Sequence, residues 1–257
     1  MKPRDDILYD NERESVVKPS FNQRVIDGEY VFIHKSRLYR FFAFLLFHCF
    51  VRPISYILLI LIKRVKYINK KVLKQAKDGY FIYSNHVDKV SDVLTPIYLC
   101  GGKMPCVIVH PDNVSIPFVG RLASMCGALP LPDDISAGKN FLHAIDYMIS
   151  KNRPIVIYPE ANLWPYYVKI RDFDDRSFRY PVRFKKAVFV FTTTFVRRRY
   201  SRKPRTVIYI DGPLYVDVGL ERSHSQRDLR DRVYNQMVTR SQNSNCEYVK
   251  YIKRGDG

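Results

Sequence analysis

Apolar positions along the chain fall into short runs rich in β-branched and aromatic residues, separated by longer stretches of helical period. That alternation is the pattern of an α/β protein. Residues 80–84, 106–110, 128–131, 154–158, 187–195 and 206–210 read as strands. A helix is expected from about Ser136, where Phe141, Leu142, Ile145, Met148 and Ile149 share one face. A second, near the C terminus, carries Leu229, Val233 and Met237 at four-residue spacing. No internal repeat, low-complexity tract or Gly/Ser linker interrupts the pattern.

Residues 41–62 break it, forming an apolar run long enough on paper to span a bilayer, which needs about 20 residues. Arg52 and Pro53 divide the run, and each half reaches only about 14 to 17 Å against a hydrocarbon core of about 30 Å. Lys35, Arg37 and Arg40 precede it, and Lys63, Arg64, Lys66, Lys70, Lys71 and Lys74 follow it. Positive charge on both flanks suits a helical hairpin dipping into one leaflet, with both ends on the cytoplasmic face. A buried pair of core helices is the alternative. The expected organisation is a polar segment over 1–35, a membrane-associated helical hairpin over 36–64 and an α/β domain over 65–257.

Charge adds a partner class: 43 Lys and Arg against 25 Asp and Glu give a net charge of +18. An acidic solvating segment is excluded, and an anionic phospholipid membrane surface becomes an expected partner. Cys49, Cys100, Cys106, Cys126 and Cys246 lack the paired short spacings of a zinc or redox site and read as reduced thiols. Charged residues precede any apolar run at the N terminus, the wrong order for a cleaved export signal. No metal or other cofactor is expected.

Two polar segments follow expected strands directly, where ligands sit in α/β sheets. One runs from Ser84 through Asn85, His86, Asp88 and Ser91 to Asp92; the other is Tyr158, Pro159, Glu160, Ala161 and Asn162. Imidazole titrates near neutral pH and can take the proton of an alcohol, while a carboxylate holds the ring in one tautomer. No Ser or Cys nucleophile motif is evident, so direct attack by a substrate hydroxyl is the economical chemistry.

Asn85-His86 with Asp92, then Gly127-Ala128-Leu129-Pro130-Leu131, then Tyr158-Pro159-Glu160 resemble in order and spacing the signature blocks of the glycerolipid acyltransferases, the family that includes 1-acylglycerol-3-phosphate O-acyltransferases. The resemblance covers roughly residues 80–195. It implies a mixed β-sheet flanked by helices and transfer of a fatty acyl group from an acyl thioester, of coenzyme A or acyl carrier protein, to a lysophospholipid hydroxyl. It further implies His86 as general base, Asp92 as its orienting carboxylate and Glu160 as part of the acceptor pocket; Asn85 and Asn162 beside them are further candidate substrate-binding residues.

The chain departs from the family in three places. Five residues rather than four separate His86 from Asp92, and one extra residue on a helix turns a side chain by about 100°. Asp88 is the fallback partner, and a catalytically inactive basic peripheral membrane protein of the same fold is the alternative reading. The arginine that ends the second block is replaced in the region of Pro132-Asp133, and that of the third block gives way to Ala161-Asn162-Leu163. Arg121, Lys169 and Arg171 are the candidates to supply positive charge for the acceptor.

Six basic residues in nine fill Arg197 to Arg205. They read as a patch facing a membrane or an acidic acyl carrier protein. Nucleic acid is not an expected partner, since no RNA-binding motif accompanies the patch.

Overall fold

The computed structural model describes residues 6–11 and 24–254. Seven strands form one mixed sheet: β2 (Lys66–Ile68), β3 (Phe81–Ser84), β4 (Cys106–Val109), β5 (Ala128–Pro130), β6 (Ile155–Ile157), β7 (Val188–Arg198) and β8 (Ser201–Leu214). Their order is β2-β8-β7-β3-β6-β4-β5, parallel except where β7 and β8 make an antiparallel hairpin. A parallel pair, β1 (Asp6–Tyr9) with β9 (Lys250–Lys253), joins the two ends of the chain. Each of the six strands expected from the sequence overlaps an observed one. β7 and β8 run further, carrying the basic segment out as a hairpin.

Every residue of β3 is buried, as befits a central strand covered on both faces. On one face Phe81, Tyr83, Val188 and Val190 pack with Phe141, Ile145 and Ile149 of the helix Ile135–Ser150 and with Leu229, Val233 and Met237 of the helix Arg222–Ser241. Both helices present the faces that their periodicity marks. On the other face Ile82, Phe189, Phe191, Ile208 and Ile210 meet Leu59, Val65 and Val72. At Gly127, with φ +99°, an added Cβ would collide with the Pro105 carbonyl, so glycine permits β5 to lie against β4.

The hairpin expected over 36–64 is replaced by one continuous helix, α1 (Arg37–Ile62). Leu45, Val51, Arg52 and Tyr56 all keep right-handed helical backbone, so no turn forms at Pro53. Two stretches, Leu46–Val51 and Ile57–Ile62, are π-helical, and the Arg52 N–H donates to the Phe47 carbonyl five residues back. That wider register lies directly ahead of the proline, and π-bulges are a common device for carrying a helix past such a residue. Ser55 Oγ donates to the Arg52 carbonyl at 2.7 Å on the domain side.

Ala43, Phe47, Ser55 and Leu59 form the buried stripe of α1. Phe41, Phe42, Phe44, Phe50, Ile54, Ile57, Leu61 and Ile62 remain exposed. By length and composition α1 could cross a membrane, being about 39 Å long, yet its buried stripe lies along the domain.

Candidate active site

His86 lies in the loop beyond the carboxyl end of β3, and Tyr158 and Glu160 lie beyond the carboxyl end of β6. β3 and β6 are parallel neighbours, which brings the two loops together at one edge of the sheet. The helix α2 (Ser91–Leu99) begins only after His86, so the additional residue falls in the loop 87–90 and turns no helical face. His86 Nδ1 lies 2.9 Å from Asp92 Oδ2.

Asp92 Oδ2 also accepts the Val87 N–H at 2.8 Å and the Asp88 N–H at 2.9 Å, and Oδ1 is buried without a partner among the described residues. Burial pushes the Asp92 carboxyl above the ordinary carboxylate range, opposed by the hydrogen bonds from His86 and Asp88. The carboxylate accepts, so Nδ1 carries the proton and Nε2 is left for an incoming hydroxyl. The imidazole is 22% exposed, enough to be reached, while the Asp92 side chain is 1% exposed.

Tyr158 leans on the His86 ring at 4.6 Å between centroids and donates its hydroxyl to the Asp92 carbonyl. Burial raises its phenol well above the usual value, so it remains a donor. Trp164 and Tyr166 N–H groups donate to the His86 and Val87 carbonyls at 3.0 and 2.8 Å. Tyr158, Trp164 and Tyr166 were not legible as support residues; only the position of Tyr158 at a strand end signalled anything.

Asp88, the fallback partner, is engaged elsewhere. Both its oxygens lie 2.8 Å from Lys63 Nζ, beyond the end of α1, and Ser91 and Thr206 hydroxyls donate to Oδ2 at 3.1 and 3.2 Å. It also accepts the Val90 and Ser91 N–H groups, capping α2. Burial opposes ionisation, but Lys63 and the two N–H donors outweigh it and hold the carboxyl below its ordinary value. Its contribution to stability is therefore present above the unfolded carboxylate value of about 3.9 and lost as pH falls through the lowered one. Asp88→Asn should flatten the acid side of the stability–pH curve, read by denaturant midpoints across pH.

Glu160 and Arg171 form a buried ion pair. Arg171 Nη2 lies 3.0 Å from Glu160 Oε2, its N–H donates to Oε1 at 3.1 Å, and it also reaches the Asn162 carbonyl. Glu160 Oε2 accepts the His86 N–H at 3.2 Å, so the pair holds the histidine's main chain. Between them Ala161 adopts φ +62°, a left-handed conformation that costs a residue with a Cβ about 1 kcal/mol or more.

A family model described as Acyltransferase matches residues 64–200, just over half the chain. The chain belongs to the acyltransferase family. Among solved structures, the crystal structure of the 1-acyl-sn-glycerophosphate (LPA) acyltransferase PlsC from Thermotoga maritima is similar in fold, with a TM-score of 0.57 and 12% identity over 84% of this chain and 86% of that one. None of the curated proteins matches the sequence.

Other expected binding residues of this acyltransferase fall in different places. Asn85 is buried and spent on β7, its side chain exchanging hydrogen bonds of 3.0 and 2.8 Å with the Thr193 main chain, so it does not face a substrate. Arg171 is 1% exposed and neutralised by Glu160, which removes it as a headgroup ligand. Asn162 is partly buried in the same loop, its carbonyl taken by Arg171. Lys169 is exposed on that loop. Arg121 is exposed on the helix Val119–Met125 beside β5, three strands and about 14 Å from β3. Asp133 accepts the Ile26 N–H at 2.8 Å and so fastens the N-terminal segment.

Proposed function

We propose that the protein moves a fatty acyl group from an acyl thioester to the hydroxyl of a lysophospholipid-like acceptor at the cytoplasmic face of a membrane, in phospholipid synthesis or remodelling. The observation that carries this reading is the His86–Asp92 pair at the carboxyl end of β3, with the imidazole reachable and the carboxylate enclosed. His86 Nε2 takes the hydroxyl proton as the oxygen attacks the thioester carbonyl carbon. The tetrahedral intermediate collapses by breaking the C–S bond, and the thiolate recovers the proton from the imidazolium. An ester and a free thiol result, with no acyl-enzyme. The inactive-protein alternative drew on the longer His86–Asp92 spacing, and the 2.9 Å contact removes that support.

The test is acyl transfer in lipid vesicles from labelled acyl-coenzyme A and acyl carrier protein thioesters to a panel of lysophospholipids and simple alcohols. Transfer to a lysophospholipid from either donor supports the reading. No transfer from either donor to any acceptor, with vesicle binding intact, sinks it.

The exposed face of α1 supports membrane attachment along the helix rather than across the bilayer, because its buried stripe is packed on the domain. Phe44 and Phe50 are 57% and 59% exposed. Replacing both with Ser should weaken co-flotation with anionic vesicles roughly thirtyfold, at about 1 kcal/mol for each ring's exposed half, with the melting temperature nearly unchanged. Undiminished flotation would show that α1 is not the anchor.

A further inference from the structure

β7 pairs with the last residue of β3 through Phe191 and continues to Arg198. The β7–β8 hairpin thus overhangs the sheet edge that carries His86 by about 20 Å of strand. Near its tip the pairing slips between Val196 and Arg198, and such a bulge re-aims side chains. Arg198 there donates to the Lys63 carbonyl at 2.8 Å, and Lys63 is the residue that holds Asp88 in the His86 loop. The hairpin tip, the end of α1 and the histidine loop are therefore one connected unit.

Where the hairpin tip meets the end of α1 lies a cavity of about 450 Å³ lined by Arg64, Arg197, Arg198, Arg199 and Arg205 with Val196, Tyr200 and Ser201. No acidic residue lines it, and none of the five arginines has a carboxylate partner among the described residues. Arg198 Nε is buried without a hydrogen-bond partner. Burial, then the charges of Arg205 and Arg64, hold the Arg198 guanidinium below its ordinary value. Arg64 itself sits at φ +54°, a left-handed conformation disfavoured for any residue with a Cβ. Arg64, Arg197, Arg199 and Arg205 are exposed and Arg198 is partly buried, and all five border the same concave space.

We propose that this five-arginine pocket binds the phosphate groups of a reactant in the transfer, a phosphomonoester or diphosphate gripped by guanidinium forks. Guanidinium matches phosphate in charge and in bidentate geometry, and the volume suits a headgroup or diphosphate. The acyltransferase reading enters only in the origin of that phosphate, which is either the lipid headgroup or the coenzyme of the thioester.

Two binding readouts on the full chain test it without turnover: titration with coenzyme A as the free thiol, and flotation with phosphatidylcholine vesicles with and without phosphatidate. The variants are Arg64→Gly and Arg205→Gln, with Arg202→Gln on the same hairpin, outside the pocket, as the charge control. Each pocket variant should lose about tenfold in at least one readout, and Arg202→Gln should stay within twofold of wild type. Arg64→Gly should melt no lower than wild type, because glycine suits φ +54°. A loss confined to coenzyme A assigns the pocket to the donor; one confined to phosphatidate-dependent flotation assigns it to the headgroup. The proposal is overturned if wild type binds neither probe, if both variants hold both affinities within twofold, if Arg202→Gln loses as much, or if losses appear only with a lowered melting temperature in both. Because no step of this test needs catalysis, its failure leaves the acyl-transfer assay standing, and failed transfer with intact binding leaves the pocket standing.

Discussion

His86→Ala should lower acyl transfer by about 10²- to 10⁴-fold, the usual range for removing a positioned general base, with vesicle binding unchanged. The substituted enzyme has no group left to take the hydroxyl proton as the carbon–oxygen bond forms. Asp92→Asn should produce a loss of similar order by a different route. The amide keeps its oxygen toward the Val87 and Asp88 N–H groups and still accepts from Nδ1, but it carries no negative charge to stabilise the imidazolium that forms as the proton is taken. Because the two residues act as a unit, the double variant should be hardly worse than His86→Ala alone.

Stability should respond in the opposite sense. Burial raises the Asp92 carboxyl above its unfolded value, so the stability it contributes is complete only below about pH 3.9 and is lost as pH rises through the folded value. At neutral pH its charge is a cost to the fold. Asp92→Asn should therefore leave the denaturant midpoint at pH 7 unchanged or higher while activity collapses. A variant that lost activity and stability together would mark Asp92 as a structural residue and count against the assignment.

Arg171→Leu has the largest expected effect on stability, a loss of about 3 to 5 kcal/mol, because it leaves the Glu160 carboxylate buried without its counter-charge. The guanidinium also stacks over Trp164 at 4.8 Å, and Trp164 in turn stacks on Tyr251 at 4.9 Å. Loss of the pair should loosen the whole loop that supports the His86 main chain. Equilibrium denaturation measures the first effect directly. If Arg171 instead held a headgroup, its substitution would weaken acceptor affinity and spare stability, the reverse pattern. Arg171→Leu combined with Glu160→Leu should recover part of the loss, since two apolar groups remove the stranded charge, but not all of it, because the His86 N–H would still lack its acceptor.

Much of the strand pattern was legible because buried parallel strands are continuous apolar runs, as Phe81–Ser84 and Ile155–Ile157 show. The helices Ile135–Ser150 and Arg222–Ser241 were legible for the complementary reason, a single apolar stripe at helical spacing. β2 and β9 were not, since each is a three- or four-residue, half-exposed strand whose partner lies more than a hundred residues away in sequence. Pro53 misled in another way: proline usually ends a helix, and only the π-helical register before it lets α1 continue.

By itself the sequence determined the α/β class, the apolar character of residues 41–62, the excess of positive charge and the two strand-end segments that meet at the site. These are properties of local pattern and composition, which survive without knowing what folds against what. Tertiary structure alone decided which carboxylate serves His86. Asp88 and Asp92 are both within reach along the chain, and Lys63, brought in from the end of α1, claims the first and leaves the second to the imidazole. It likewise decided that Arg171 is a buried brace rather than a ligand, and that Arg64 joins four arginines of a distant hairpin. A charged side chain acquires its role from its partner and its exposure to water, and both are set by the packing of segments far apart in sequence.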